Sequence, residues 1–233
     1  MNGFLGPAEW EALTLSLRVA LTATLASLPF GIAVAYVLAR KRFPGHSLLN
    51  GFVHLPLILP PVVTGYLLLV IFGPQAPLGA ALEALGLGVA FRWTGAALAA
   101  AIMAFPLMVR AIRLSLEAVD PKLEEAASTL GASRLRVFTT ITLPLMAPGI
   151  LTGTVLAFAK AMGEFGATIT FVSNIPGHTR TVPSAIYAFL QMPGGEGAAW
   201  RLVIVSVVVA MGALLVSEML ARRVRIRIGG ADA

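Results

Sequence analysis

Asp120-Pro121-Lys122-Leu123-Glu124-Glu125-Ala126-Ala127-Ser128-Thr129-Leu130-Gly131 is a charged island between two apolar runs, and it reads as one complete short helix. Asp120 is a good N-cap, and Pro121 suits the first helical position, where a missing N–H leaves nothing unsatisfied. Glu124 and Glu125 fall in the opening turns, where carboxylates meet the positive end of the helix dipole. Gly131 fits the C-cap. Leu123, Ala126, Ala127 and Leu130 recur at helical spacing and make one apolar face built largely of small residues. Ser133 to Leu143 reads as a second helical stretch, expected to end at Pro144. Two readings of the first helix stand at this level: its face receives the backbone of another polypeptide, or it lies flat on membrane headgroups.

What the island interrupts decides the fold class. Of 233 residues, 58% are hydrophobic and 12% charged, with a mean hydropathy of +0.87. Soluble domains carry about twice that share of charge. Five stretches are long and apolar enough to cross a bilayer, at about 20 residues each: about 12–39, 49–72, 93–110, 148–171 and 199–221. The third is the shortest, with 17 residues between Arg92 and Arg110, and is expected to reach by snorkelling of Arg110 and Arg113. The expected protein is all-α and polytopic. Residues 1–11 precede the spans, 117–144 form the long connection that holds the island, and 222–233 form a basic tail. Two shorter apolar pieces, Leu78–Phe91 and Val182–Met192, are read as interfacial or re-entrant segments.

Charge placement orients the chain. Arg40, Lys41 and Arg42 follow the first span. Arg110, Arg113, Lys122, Arg134 and Arg136 follow the third, and Arg222, Arg223, Arg225 and Arg227 follow the fifth. Five crossings put all of these on one side, against Arg92, Arg180 and Arg201 on the other; the basic side is cytoplasmic by the positive-inside rule. The N-terminus is then extracytoplasmic and the C-terminus cytoplasmic. Glu9 and Glu11 stand where a cleavable signal would be basic, so the first span is expected to be retained. The net charge of +6 is spent at membrane edges, and no nucleic-acid partner is expected.

Several chemistries are excluded. With no cysteine there is neither a disulfide framework nor a thiolate site. His46, His54 and His178 have no metal-ligand spacing, so no metal is expected. None of Lys41, Lys122 or Lys160 follows a glycine, so there is no phosphate-binding loop of the Gly-Lys-Ser/Thr kind and no ATP hydrolysis of the chain's own. No paired carboxylates or nucleophile–His–Asp set suggests a catalytic site. No internal repeat supports an inverted-repeat secondary transporter.

Glu125-Ala126-Ala127, three residues, Gly131, nine residues, Ile141, one residue and Leu143-Pro144 resembles the Glu-Ala-Ala signature of ABC-importer membrane subunits. The run Gly163-Glu164-Phe165-Gly166-Ala167-Thr168-Ile169-Thr170-Phe171-Val172-Ser173-Asn174-Ile175-Pro176-Gly177 is similar to molybdate-transporter permeases. So are Thr179-Arg180-Thr181-Val182-Pro183, Ala185-Ile186-Tyr187, and Leu55-Pro56-Leu57-Ile58-Leu59-Pro60-Pro61-Val62-Val63-Thr64-Gly65-Tyr66. The likeness covers about Ala12 to Ala221. It implies a type I ABC-importer transmembrane domain of five helices in a bacterial inner membrane, without the additional N-terminal span of some relatives. It implies a homodimer, two copies of a separate ATPase subunit that use ATP and Mg, and a soluble molybdate-binding protein. Glu124, Glu125, Ala126, Ala127, Leu130 and Gly131 then couple to the ATPase. The same type of permease also serves tungstate, sulfate or thiosulfate, and a stand-alone transporter or channel is the rival class.

Within the spans, Lys160 and Glu164 are four residues apart and share a helix face. They either pair to hold the bundle together or line the pathway or its gate. Gly163 and Gly166 permit close approach or bending. Thr64, Thr168, Thr170 and Ser173 offer hydroxyls to a passing oxyanion, unless they bond back to their own helices. Pro56, Pro60 and Pro61 are expected to bend or break the second span. Arg180 is read as a contact for an oxyanion, a binding protein or lipid headgroups.

Overall fold

The computed structural model describes residues 4–228, with side chains described as far as Met219 apart from Ser217. The chain is helical almost throughout: α1 Pro7–Arg40, α2 His46–Ile58, α3 Pro61–Phe72, α4 Pro77–Ala84, α5 Trp93–Glu117, α6 Pro121–Thr129 and α7 Arg134–Val137. A five-residue π turn, Phe138–Thr142, leads into α8 Leu143–Met162, followed by α9 Gly166–Val172, α10 Val182–Leu190 and α11 Glu196–Ile228. Among the described residues, four helices are long and apolar enough to cross a membrane, and the bent pair α2–α3 makes a fifth crossing if the two are taken together.

The bundle is built around α5, the most buried of the crossing helices. Ala96, Ala97, Ala99, Ala100 and Ala104 are all buried on it and let α1 and α8 approach closely. On α8, Gly149, Gly153, Ala157 and Ala161 recur every fourth residue and are all buried. A Cβ on Gly149 would stand 2.1 Å from Ser115 Cβ, and one on Gly153 would stand 3.0 Å from Met108 O. Met108, Ile112, Leu116, Met146 and Phe171 fill the remaining interior.

Polar contacts define the two ends of the bundle. At one, Arg40 of α1 reaches Val119 O and Glu124, and Arg113 of α5 donates to Asn50 of α2. At the other, Glu9 near the start of α1 is buried and paired with Arg201 of α11 at 2.9 Å. Nearby, Ser16 Oγ accepts the Val182 N–H that opens α10, at 2.7 Å. Ala12, Leu13, Val182, Ala185 and Leu202 form a second apolar cluster at that end.

The spans differ from expectation in three places. The second, expected over 49–72, is two helices bent by 112° at Leu59–Pro60. Pro56 sits inside α2 without ending it, whereas Leu59 and Pro60 are both extended (ψ 142° and 133°), as a residue preceding proline prefers. The fourth, expected over 148–171, begins earlier and ends earlier: Arg134–Met162 is a 29-residue helical run, and Gly163–Phe165 separates it from α9. Pro144 therefore does not end the second helical stretch. It stands where the π turn meets α8 inside that run, and the π turn before it absorbs the change of pitch that the missing donor imposes. The third crossing runs past Arg110 and Arg113 to Glu117. The short apolar pieces become α4 and α10. The basic tail expected over 222–233 falls outside the described side chains, and residues 229–233 outside the described residues; the α11 backbone continues as far as Ile228.

Candidate functional site

The polar island folds as its composition dictates. Asp120 caps α6 by accepting the Lys122 N–H at 2.9 Å, with Pro121 in the first turn. At the other end, Gly131 takes φ +83°, the Gly131 N–H donates to Ser128 O at 3.0 Å, and the Ala132 N–H donates to Ala127 O at 3.1 Å. That pair of bonds is a Schellman closure, which needs a left-handed residue at the glycine. No residue of α6 is buried. Glu125 and Ala126 are exposed, Ala127 is half-buried, Leu123 is exposed, and Leu130 is 89% exposed. Leu123, Ala126 and Leu130 of the apolar face thus point away from the bundle.

Glu124 turns the opposite way. Its Oε1 accepts from Arg40 Nη2 at 3.3 Å and from Thr142 Oγ1 at 2.9 Å, and Arg40 Nη2 also donates to Val119 O at 3.0 Å. Of the six residues expected to couple, five lie on the outward or end surfaces of α6 and its cap, and Glu124 faces the body. Arg40 and Thr142 are 84 and 18 residues from Glu124 in sequence, so no helical spacing links them to it. Arg40 had only its place in a basic cluster to recommend it.

Half a bundle away, the two interrupted spans meet. α3 begins at Pro61 beyond one break and α9 at Gly166 beyond the other, and a Cβ on Gly166 would stand 2.7 Å from Pro61 Cβ. From there the two run side by side: a Cβ on Gly65 would stand 2.5 Å from Ala167 O, and Phe72 meets Phe171 at 6.5 Å between ring centroids. Gly65 carries this contact, and sequence reasoning passed over it for the prolines.

Glu164 sits in the second break with 1% of its side chain exposed. Oε2 accepts from Lys160 Nζ at 2.7 Å, and Oε1 accepts the Ala167 N–H at 3.0 Å, so the carboxylate ties the end of α8 to the first turn of α9. Gly163 ends α8 at an ordinary φ of −92°, with no foreign atom closer than 3.7 Å to an added Cβ; nothing around it requires glycine.

The hydroxyls are dispersed rather than convergent. Thr64 is buried, its Oγ1 has no hydrogen-bond partner among the described residues, and it borders a cavity of about 610 Å³ lined also by Ser27, Phe30, Leu59, Leu67 and Phe105. Thr168 is buried on α9. Thr170 bonds back to Gly166 O at 2.8 Å. Ser173 is exposed at the end of α9, with φ +66° and ψ −161°, a conformation that L side chains rarely adopt. Arg180 is engaged by Asn174 Oδ1 at 3.0 Å.

Residues 27–226 match the family described as "Binding-protein-dependent transport system inner membrane component". The chain is 63% identical over 222 residues to the molybdenum transport system permease protein ModB of Escherichia coli K12, covering 95% of this chain and 97% of that one. It is 55% identical to the ModB of Haemophilus influenzae at the same coverage. It is 38% identical to a sulfate transport system permease of Chlorokybus atmophyticus, over 82% of this chain and 67% of the relative. Among solved structures, an ABC transporter importing the polysaccharide alginate superposes with a TM-score of 0.74 at 20% identity, covering 94% of this chain and 81% of that one. The MetNI methionine transporter superposes with a TM-score of 0.68 at 12% identity, over 93% and 94% of the two chains. These two establish a shared fold with ABC-importer membrane domains.

Proposed function

Because the chain belongs to the binding-protein-dependent transport system inner membrane component family, a family of multi-pass inner-membrane proteins, we propose that it is the permease subunit of an ATP-driven molybdate importer. The structural observation behind this reading is α6: a capped helix with no fully buried residue that offers Leu123, Ala126 and Leu130 outward. A helix of this size has little reason to hold its shape in water unless a partner receives it. The substrate assignment follows the 63% identity to a molybdenum permease over nearly the whole chain.

On this reading the α6 end faces the cytoplasm and the Glu9–Arg201 end faces outward. Two copies of the chain enclose a pathway on their common axis. Two copies of an ATPase subunit bind below, holding ATP and Mg, and a soluble molybdate-binding protein delivers the anion from above. The chain itself has no catalytic residue. ATP binding draws the ATPase pair together and moves α6, and the bundle rocks between inward- and outward-open states. The two breaks supply the pliable part of the pathway, since interrupted helices bend at low cost where straight ones do not. The Glu164 charge is already matched by Lys160 and a backbone N–H, so it presents little repulsion to a dianion.

The test is reconstitution of the permease with its ATPase and binding proteins in liposomes and measurement of labelled molybdate uptake, with tungstate, sulfate and thiosulfate as competitors. ATP-dependent uptake of molybdate is expected. Uptake by the permease alone, or ATP-driven uptake of sulfate in preference to molybdate, would overturn the assignment.

A further inference from the structure

We propose that Glu124 is the node through which movement of α6 reaches the membrane helices, and that Arg40 and Thr142 are the positioning residues that make α1 and α8 follow it. This rests on the transport reading above.

Packing holds α6 only lightly: it touches α7 and the π turn, and none of its residues is fully buried. Among the described residues, Glu124 is the one member of α6 whose side chain bonds beyond the helix and its caps. The two donors to its Oε1 belong to different crossing helices. Arg40 is the last residue of α1, with its side chain 14% exposed, and the nitrogen that meets Glu124 also holds Val119 O in the turn between α5 and α6. Thr142 closes the π turn, is 1% exposed, and leads directly into α8. Hydrogen bonds to a charged group in a largely dry setting are stiffer and stronger than exposed ion pairs. A push on α6 is thus shared between α1 and α8. α8 runs unbroken from Leu143 to Met162 and ends at the break at Gly163–Phe165, where Glu164 passes the movement to α9 and hence to α3. A π turn is the weak point at which such a helix changes pitch, and Thr142 ties that point to the moving part.

The test uses the complete transporter in liposomes. Thr142→Val keeps the shape of the side chain and removes the donor; Thr142→Ser keeps the donor. For Thr142→Val the ATPase is expected to co-purify and to hydrolyse ATP, while molybdate moved per ATP falls about tenfold, the loss expected on breaking a hydrogen bond to a charged group. Thr142→Ser is expected to stay within about twofold of the unmodified protein. Arg40→Gln tests the other branch and serves if the valine variant does not assemble. A second readout needs no substrate. The chain has no cysteine, so one copy labelled at Ser128 and Arg42 and diluted with unlabelled copies reports the distance within a single protomer. In the unmodified protein that distance is expected to hold between the nucleotide-free and ATP-bound states, and in Arg40→Gln to change with nucleotide. Normal transport per ATP in Thr142→Val, or an unaltered distance in Arg40→Gln, overturns the linkage. If the unmodified complex hydrolyses ATP but moves no molybdate, the substrate reading fails, and the distance measurement still decides the linkage.

Discussion

Gly65 and Ala167 touch backbone to backbone: a methyl group on Gly65 would lie 2.5 Å from the Ala167 carbonyl oxygen and 2.9 Å from its Cα. The atoms in the way belong to main chain, which cannot rotate aside. α3 and α9 therefore form one paired unit beyond the two breaks, and the small residue at position 65 is what lets them do so.

Gly65→Ala is expected to force the pair apart and to destabilise the subunit by about 1–3 kcal/mol, the usual range for overpacking. Gly163→Ala, placed where an added Cβ has room, is expected to change stability by no more than about 0.5 kcal/mol. Thermal unfolding of the two purified variants in detergent separates them. Equal melting shifts would show that steric contact at Gly65 is not what matters.

Gly131 presents the opposite situation, with open space around an added Cβ but φ at +83°. Any side chain there meets conformational strain alone, about 1 kcal/mol for alanine, less for asparagine and more for valine. Affinity for the ATPase subunit is expected to fall in the order Gly, Asn, Ala, Val. A series with no dependence on the residue would mean that the left-handed turn does not aim α6.

Lys160→Ala strips the partner from a carboxylate that is almost wholly buried, at a cost of about 3 kcal/mol. Glu164→Gln keeps an oxygen for the Ala167 N–H and removes the charge, so it is expected to be milder, and Lys160→Met combined with Glu164→Gln milder than Lys160→Ala. Unfolding midpoints of the three variants check the order. If Lys160→Ala unfolds no earlier than the parent, the pair does not hold α8 to α9.

Ser173→Gly releases a backbone held at φ +66° and ψ −161°. Relief of that strain exceeds the added freedom glycine gains on unfolding, and a stabilisation of about 1 kcal/mol is expected. A lower melting temperature in the glycine variant would contradict it.

The crossing helices and the capped ends and apolar face of the polar island are legible because they depend on local terms: runs of apolar residues, Asp120 and Pro121 at one end of α6, Gly131 at the other; that Glu124 turns to the body is not. The break at Leu59–Pro60 is legible for the same reason, since consecutive prolines act on their own backbone. The break at Gly163–Phe165 is not. Gly163 and Gly166 allow a bend there but do not require one, and the interruption rests on a carboxylate that reaches back to Lys160 and forward to Ala167. Pro144 misled in the other direction, because a π turn supplied the slack that the proline needed. Among the candidate pathway residues, the hydroxyls were chosen by type alone. Thr64 proves to border a cavity and Thr170 to bond its own helix, a distinction that only packing makes.

No residue of α6 is fully buried, and among the described residues only the Glu124 side chain bonds into the body of its own subunit. If a partner receives α6 as proposed, Leu123, Ala126 and Leu130 can vary in step with that partner while the packing of the lipid-embedded scaffold stays as it is.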